Sequence, residues 1–278
     1  MEHLDRPGVA TFYVPDEPFA VGVSASLGDG VLHHVRVRRL GIGSRVAMLD
    51  GAGNRAEGTL VRITRTAATV EVERVDHVPP LPPVHLLVPI ADRDRMLWLA
   101  EKCAELGATS WRPVLYRRSR SVKPRGEGPT FAGKLRARMA AALEQCGGAW
   151  LPAMYPEASL SRALGALPSG SRFVLDAAGS AMLGHRVTPP VTVAVGPEGG
   201  LEDEELEEFD AAGFERAALG GHVLRFETAA LAGLAVARSA IQAGALTTAP
   251  VPASTVRFAH DTSHQPAVRA ATEATRGD

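Results

Sequence analysis

The sequence has few cysteines, no long apolar run and almost no net charge. Each of these features bears on which classes of protein the chain can belong to. Its 278 residues contain two cysteines, Cys103 and Cys146, without the spacing of a metal site or of a disulfide scaffold. No apolar run approaches the roughly 20 residues of a membrane span, and residues 1–10 lack a signal-peptide core. With 45% hydrophobic and 22% charged residues, the composition predicts a globular cytoplasmic protein without a metal site or membrane contact.

The formal net charge of −1 hides a separation of charge along the chain. Residues 112–138 carry nine basic side chains and one acid, Glu127. Residues 198–215 carry nine carboxylates and no lysine or arginine. The molecule is therefore expected to be polarised, with a basic region able to contact phosphates although its total charge is near zero.

The first 75 residues have the pattern of a small β-barrel. Five β-rich runs are separated by Gly, Asp and Asn: VATFYV, HHVRVRRL, RVAMLD, AEGTLVRI and AATVEVERV. Residues 50–54 predict a hairpin tip between the third and fourth runs. The proline-rich segment 79–83 cannot continue a strand ladder, so we expect a stiff linker there and a first domain over residues 1–78.

After the linker, strands alternate with helices, which predicts a mostly parallel sheet of the α/β class. The predicted strands are VHLLVPI, WRPVLY, RFVLD (172–176) and VTVAV (191–195). Asp92 is expected to cap a helix that buries Met96, Leu99, Cys103 and Leu106, and Thr130 to open one that buries Leu135, Met139, Ala142 and Cys146. A last helix runs from about Glu227 to Ala243. We assign this second domain to residues 79–246 and expect residues 247–278 to be a disordered tail.

The region between Val191 and Ala230 contains the strongest candidate for a ligand site. A buried strand runs into Gly196-Pro197-Glu198-Gly199-Gly200, and an acidic helix and a short strand ending at Leu219-Gly220-Gly221 follow. Three glycines in five residues allow positive φ and close approach of the backbone to a ligand at the carboxyl end of a strand. A phosphate-binding glycine loop pairs a free helix N-terminus with a basic residue, but carboxylates occupy that place here. The ligand is therefore expected to be neutral or cationic.

These residues also carry a family resemblance. The 196–200 turn, followed by Leu219-Gly220 and by Val223-Leu224-Arg225-x-Glu227-Thr228-Ala229, resembles the paired signature of the SPOUT RNA methyltransferases, and within them the ribosomal small-subunit methyltransferase E family. Segments 33–43, 101–108 and 144–147 extend the resemblance over about residues 10–245. It implies S-adenosylmethionine as cofactor, a uridine N3 in 16S ribosomal RNA as target, a homodimer, a PUA-like N-terminal barrel and a SPOUT-type α/β domain with a trefoil knot. The cofactor carries a sulfonium cation and no phosphate, in agreement with the charge argument.

The resemblance also assigns roles to residues. A cofactor pocket formed mainly by backbone and shape would contain Gly196, Pro197, Glu198, Gly199, Gly200, Leu219, Gly220, Val223 and Leu224, with Leu175 and Asp176 at its rim. Arg225 is the candidate for orienting the uridine or stabilising its anion, and a structural ion pair with Glu227 is the alternative. The candidate RNA contacts are His33, Arg36, Arg39, Arg112, Arg118 and Arg120. Strand alternation would place His33 and Arg39 on the opposite face from Arg36.

Two positions depart from the family pattern, and two alternatives stay open. The first strand lacks the usual arginine, and Phe226 replaces a threonine. Because pairing hides N3, the target base must be single-stranded or flipped out. The sequence names no general base. The alternatives are a methyltransferase of the same fold that acts on another RNA site, including a ribose 2′-hydroxyl, and an RNA-binding protein without catalysis.

Overall fold

The computed structural model of the chain describes residues 9–119 and 129–248. Its first part contains β1 (Ala10–Tyr13), β2 (Ser24–Leu27), α1 (Asp29–Val37), β3 (Arg45–Leu49), β4 (Asn54–Ile63) and β5 (Ala68–His77). These strands form one sheet in the order β1-β3-β4-β5-β2, in which β1 and β3 are parallel and the other pairs antiparallel. Alternate side chains such as Val46, Met48 and Val70 face a shared apolar core.

Helix α1 corrects one predicted strand. The run HHVRVRRL was expected to be extended, but its first five residues complete α1. Leu32 and Val35, three residues apart, are both buried against the first sheet. That spacing matches a helix, so packing of one apolar face overrides the strand preference of valine. The missing strand is supplied by β2, which the sequence reading did not identify.

The predicted hairpin tip is present between β3 and β4. Asp50 closes it, since its Oδ1 accepts hydrogen bonds from the backbone N–H of Ala52 at 2.7 Å and of Asn54 at 3.0 Å. Gly51 and Gly53 adopt positive φ of 75° and 99°. The tip is therefore fixed by an aspartate turn and by glycines in conformations that other residues rarely adopt.

The second part is the predicted parallel α/β sheet. Its strands are β6 (Val84–Pro89), β7 (Ser110–Leu115), β8 (Ala153–Met154), β9 (Ala158–Ser159), β10 (Ser171–Ala181), β11 (Val191–Val195) and β12 (Glu215–Ala218). They run in the order β12-β10-β11-β6-β7-β8, with β9 also paired to β7, and every pair is parallel. The helices are α2 (Arg93–Glu105), α3 (Pro129–Cys146), α4 (Leu160–Leu164), α5 (Asp203–Ala211) and α6 (Phe226–Thr248).

Helices cover both faces of this sheet, because successive strand residues point to opposite sides. On one face, side chains such as Leu86 and Val193 pack against α2, α3 and α6. On the other face, Leu87 and Ala194 belong to a smaller core with Phe209 of α5. The carboxyl ends of the strands therefore form one edge between two helical layers.

Three details of the predicted helices need correction. Asp92 caps α2 as expected, accepting from the N–H of Asp94 at 3.0 Å, but Leu106 follows the helix and is exposed because the chain turns at Gly107, with φ of 69°. Cys146 is also exposed, since it ends α3. Helix α6 begins at Phe226 and reaches Thr248, beyond its predicted end at Ala243. Residues 249–278 lie outside the described chain.

Side chains of the second part hold the first part in place. Glu144 of α3 accepts the backbone N–H of Tyr13 at 2.8 Å, and Arg136 donates to the Tyr13 hydroxyl at 3.0 Å. Trp150 donates its indole N–H to the carbonyl of Val78 at 2.8 Å. The two sheets therefore meet through a polar contact at β1 and an aromatic contact at the linker.

Candidate functional site

Three neighbouring strands, β10, β11 and β12, border one cavity, and β10 continues past its predicted end at residue 176 to Ala181. In the sheet register, Leu175 of β10 pairs with Val195 of β11 and with Ala217 of β12, and all three residues line the cavity. Its volume is about 320 Å³. The other lining residues are Asp176, Ala177, Gly196, Pro197, Glu198, Gly200, Leu201, Leu206, Leu219, Gly220, His222, Val223, Leu224, Phe226 and Ala229. Ten of the eleven residues proposed for the cofactor therefore line one cavity, at the edge expected for ligands of parallel sheets.

The segment 196–200, called here the glycine turn, forms the first wall of the cavity. The N–H of Gly200 donates to the carbonyl of Pro197 at 2.9 Å, and Gly200 has a φ of 79° that favours glycine. Gly199 is the proposed cofactor residue that does not line the cavity. A side chain there would meet the Cβ of Arg118 at 3.0 Å. The lack of a side chain at Gly199 therefore leaves room for the segment that follows β7.

Residues 219–226 form the second wall. Val223 is 93% exposed although it lines the cavity, while Phe226 is 2% exposed. Phe226 begins α6, and its ring is part of the apolar core beneath the cavity. Phe226, which stands where the family has a threonine, therefore places an apolar ring in the cavity floor. His222 also lines the cavity, and the sequence analysis did not identify it.

Arginines from distant parts of the chain neutralise the glycine turn, and this corrects the view that the turn lacks basic partners. Arg95 of α2 donates to Glu198 in the first wall and lies 3.9 Å from Glu227, which directly follows the second wall. The hydrogen bond that Arg95 donates to Glu198 is the main cause that raises the pKa of Arg95. Arg118 donates to the carbonyl of Gly199 at 3.2 Å and lies 3.4 Å from Glu202. Both arginines are therefore paired with groups in or beside the glycine turn.

Glu205 of α5 differs from the solvated carboxylates around it. It is 2% exposed, and its two oxygens accept backbone N–H groups of Arg117 at 2.8 Å and of Glu202 at 2.9 Å. It thereby ties the segment after β7 to the start of α5, directly behind the glycine turn. The sequence predicted a solvated acidic helix, and only the fold distinguishes this buried member of it.

Arg225, the proposed catalytic residue, lies beside the cavity. Its neighbours Leu224 and Phe226 line the cavity, and its own side chain is exposed. The alternative pairing with Glu227 is not observed, since Glu227 faces Arg95 instead. Within residues 9–119 and 129–248, the guanidinium of Arg225 has no hydrogen bond or ion pair and is available to a substrate.

The candidate RNA contacts lie in two places. His33 and Arg36 are exposed on α1, three residues apart and so on one side of the helix, contrary to the strand alternation expected. Arg36 donates to the carbonyl of Arg65 at 2.8 Å, and Arg39 follows the helix with a φ of 54°. Arg112 stacks on Tyr155, with 4.8 Å between the guanidinium carbon and the ring centre. Arg118 contacts the glycine turn, and Arg120 lies outside the described residues.

In the described part of the chain, no group of three or more His, Cys, Asp and Glu side chains is placed to hold a metal ion. None of the helices in residues 9–119 and 129–248 is both long and apolar enough to cross a membrane.

Comparison with known proteins adds to this geometry. A family model described as an RNA methyltransferase domain matches residues 79–238, and one described as an RNA methyltransferase PUA domain matches residues 27–73. The chain is 28% identical over 225 residues to the ribosomal RNA small subunit methyltransferase E of Synechocystis, covering 77% of this chain and 73% of the relative.

Two solved structures share the fold. One is a ribosomal RNA small subunit methyltransferase E from Neisseria gonorrhoeae bound to S-adenosyl methionine, with a TM-score of 0.76, 26% identity and coverage of 83% of this chain and 97% of the other. The second is a putative methyltransferase from Legionella pneumophila with bound SAM, with a TM-score of 0.74, 26% identity and coverage of 84% and 98%. The predicted fold class, an α/β domain preceded by a PUA-like domain, is confirmed, while the knot stays a prediction.

Proposed function

The chain belongs to the RNA methyltransferase domain family, and from that premise we propose that it transfers the methyl group of S-adenosylmethionine to uridine N3 in small-subunit ribosomal RNA. The observation that carries the proposal is the cavity between the glycine turn and residues 219–226, in a fold shared with a methyltransferase E structure that holds this cofactor. When bound, the cofactor supplies an electrophilic methyl group on a positively charged sulfur.

The lining of the cavity fits such a cofactor. Backbone of the two walls and apolar side chains such as Leu201 and Phe226 provide shape, while Asp176 provides negative charge for a cationic ligand. The nearest arginines, Arg95 and Arg118, are engaged with the framework. At the glycine turn a phosphate would therefore meet arginines that are already paired, which favours a neutral or cationic ligand there.

Methylation of N3 requires loss of the N3 proton and alignment of the nitrogen with the methyl group. We propose that Arg225 orients the uracil and stabilises negative charge that develops on it, and the proximity of its exposed guanidinium to the second wall supports this role. Asp176 and His222 line the cavity and are candidate proton acceptors. The walls contribute by holding the two reactants in line, which is worth several kcal/mol in well-oriented reactions, about 7 or more in favourable cases.

The remaining residues support RNA binding in two units. We propose that residues 1–78 form an RNA-binding domain, with His33, Arg36 and Arg39 near the phosphates, and that residues 79–246 form the methyltransferase domain. Arg112, Arg118 and Arg120 are proposed to extend the contact. We also propose a homodimer that acts on the 30S subunit or its RNA.

The first test is calorimetric titration of the purified chain with S-adenosylmethionine, followed by methyl transfer to 30S subunits and mapping of the modified atom. We expect binding and one methyl group on a uridine N3. A methyl group on a ribose 2′-oxygen would replace the proposed target by another, and RNA binding without any cofactor binding would favour a non-catalytic protein. Light scattering of the same sample measures the mass and tests the dimer.

Arg225 has a separate test. Arg225→Ala is expected to lower the rate of methyl transfer about 100-fold or more with the cofactor dissociation constant unchanged, because it removes a group that acts on the reacting base. Arg186→Ala is the matched control, since Arg186 is exposed near the start of β10, at the opposite edge of the sheet. Parental rates in Arg225→Ala would show that Arg225 has no catalytic role.

A further inference from the structure

A second cavity lies between α2, α3 and the β7 and β8 edge of the parallel sheet, and we call it the side pocket. Its volume is about 240 Å³. It is lined by Ile90, Met96, Trp111, Pro113, Phe131, Ala132, Leu135, Met154, Tyr155, Pro156 and Glu157. Three aromatic side chains in an apolar slot form a surface on which a flat ring can stack.

Two arginines stack on the aromatic lining. The guanidinium of Arg93 lies 5.1 Å from the ring centre of Phe131, and that of Arg112 lies 4.8 Å from the ring centre of Tyr155. Stacked guanidinium groups keep N–H donors at their edges for phosphate oxygens. The side pocket thus places positive charge directly beside aromatic rings, the combination with which proteins bind single-stranded nucleic acids.

A buried donor in the side pocket has no acceptor. Trp111 is 0% exposed, and its indole Nε1 has no hydrogen-bond partner among the described residues. An unpaired buried N–H costs about 1–3 kcal/mol, so an acceptor that reached Nε1 would recover free energy. The exposed carboxylate of Glu157 is an acceptor in the same lining. One donor and one acceptor beside stacking rings match the edge of a nucleobase that carries a carbonyl and an adjacent N–H.

The first turn of α2 connects the side pocket to the cofactor cavity. Arg93 and Met96 belong to the side pocket, while Arg95 between them contacts Glu198 in the glycine turn. One helical turn therefore separates the two sites.

We propose that the side pocket binds an unpaired nucleobase of the RNA substrate other than the base that is methylated. Tyr155 and Phe131 stack on the base, Trp111 donates to a base carbonyl, and Arg93 and Arg112 contact the flanking phosphates. This inference rests on the proposed function, because it takes RNA as the substrate. It gives Arg112, predicted from the sequence as a phosphate contact, a defined position on the ring of Tyr155.

The test compares a ten-nucleotide oligouridine with an abasic chain of equal length, which has the same phosphates without the bases. Binding is measured by fluorescence anisotropy at fixed salt. The parent protein is expected to bind oligouridine more tightly, and Tyr155→Ala to lose about 5- to 100-fold in that affinity while its affinity for the abasic chain is kept. Trp111→Phe retains the ring and removes the N–H, so about a 3- to 10-fold loss is expected. Trp98→Phe is the control, since Trp98 lies on α2 outside the side pocket.

A second measurement locates the base directly. Photocrosslinking of the oligouridine substituted with 4-thiouridine is expected to modify Trp111, Phe131 or Tyr155 in the parent. The same variants are expected to raise KM for 30S subunits without changing the cofactor dissociation constant. Parental affinity and KM in Tyr155→Ala and Trp111→Phe, or crosslinks confined to other surfaces, would overturn the proposal while methyl transfer still stands. A parent that neither binds nor methylates RNA would refute the proposed function and the side-pocket inference together.

Discussion

Replacing Glu205 tests how the fold supports the glycine turn. Glu205→Ala leaves two backbone donors, the N–H groups of Arg117 and Glu202, without their acceptors. Glu205→Gln keeps one acceptor oxygen and loses the other. At about 1–3 kcal/mol for each partly buried donor left unpaired, the free energy of unfolding is expected to fall by about 1–3 kcal/mol for Gln and about 2–6 kcal/mol for Ala. With about 2–4 °C per kcal/mol for a chain of this size, Tm falls by about 2–12 °C and about 4–24 °C.

Glu204 provides the matched control because it lies next to Glu205 in the same helical turn and carries the same charge. Its side chain is 59% exposed and faces Arg117 at 3.3 Å. Glu204→Gln and Glu204→Ala therefore test charge near the helix N-terminus, worth at most about 1 kcal/mol, without removing a buried acceptor. Thermal and urea unfolding measure all four variants. Equal losses at both positions, or an Ala variant no worse than Gln at Glu205, would refute the reasoning.

Three further changes have expected outcomes. Gly200→Ala forces alanine into a φ of 79° and is expected to lower the free energy of unfolding, measured with urea, by about 1–2 kcal/mol. Gly184→Ala is the control, because Gly184 has open space around it and no positive φ, and its effect is expected to be near zero. Burial and the charge of Arg238 lower the pKa of His85, so the unfolded chain binds the proton more readily and stability falls as the pH drops below about 6.5. His85→Gln should flatten that fall in urea titrations at different pH, and an unchanged slope would contradict the assignment. Arg95→Gln removes the cation that faces Glu198 and Glu227 and is expected to weaken cofactor binding, measured by calorimetry, about 5- to 30-fold. Arg45→Gln in the first sheet is the control and is expected to leave cofactor binding unchanged.

The sequence alone was sufficient for the features that depend on neighbours along the chain. Alternation of strands with helices predicted the parallel sheet, and Asp92 predicted the start of α2, because a helix cap and a buried strand run are local patterns. The glycine turn and residues 219–226 were also predicted to act together. The family signature joined them before the register of β10, β11 and β12 placed them around one cavity.

Only the tertiary structure decided the features that depend on contacts between distant residues. The helical state of α1 follows from burial of Leu32 and Val35 against the first sheet, which the β-rich composition of that run concealed. The partner of Glu198 is Arg95, about a hundred residues away along the chain, and composition near the turn had suggested no basic neighbour. Charge and burial act through space, so a sequence shows which groups are available, and the fold determines which of them meet.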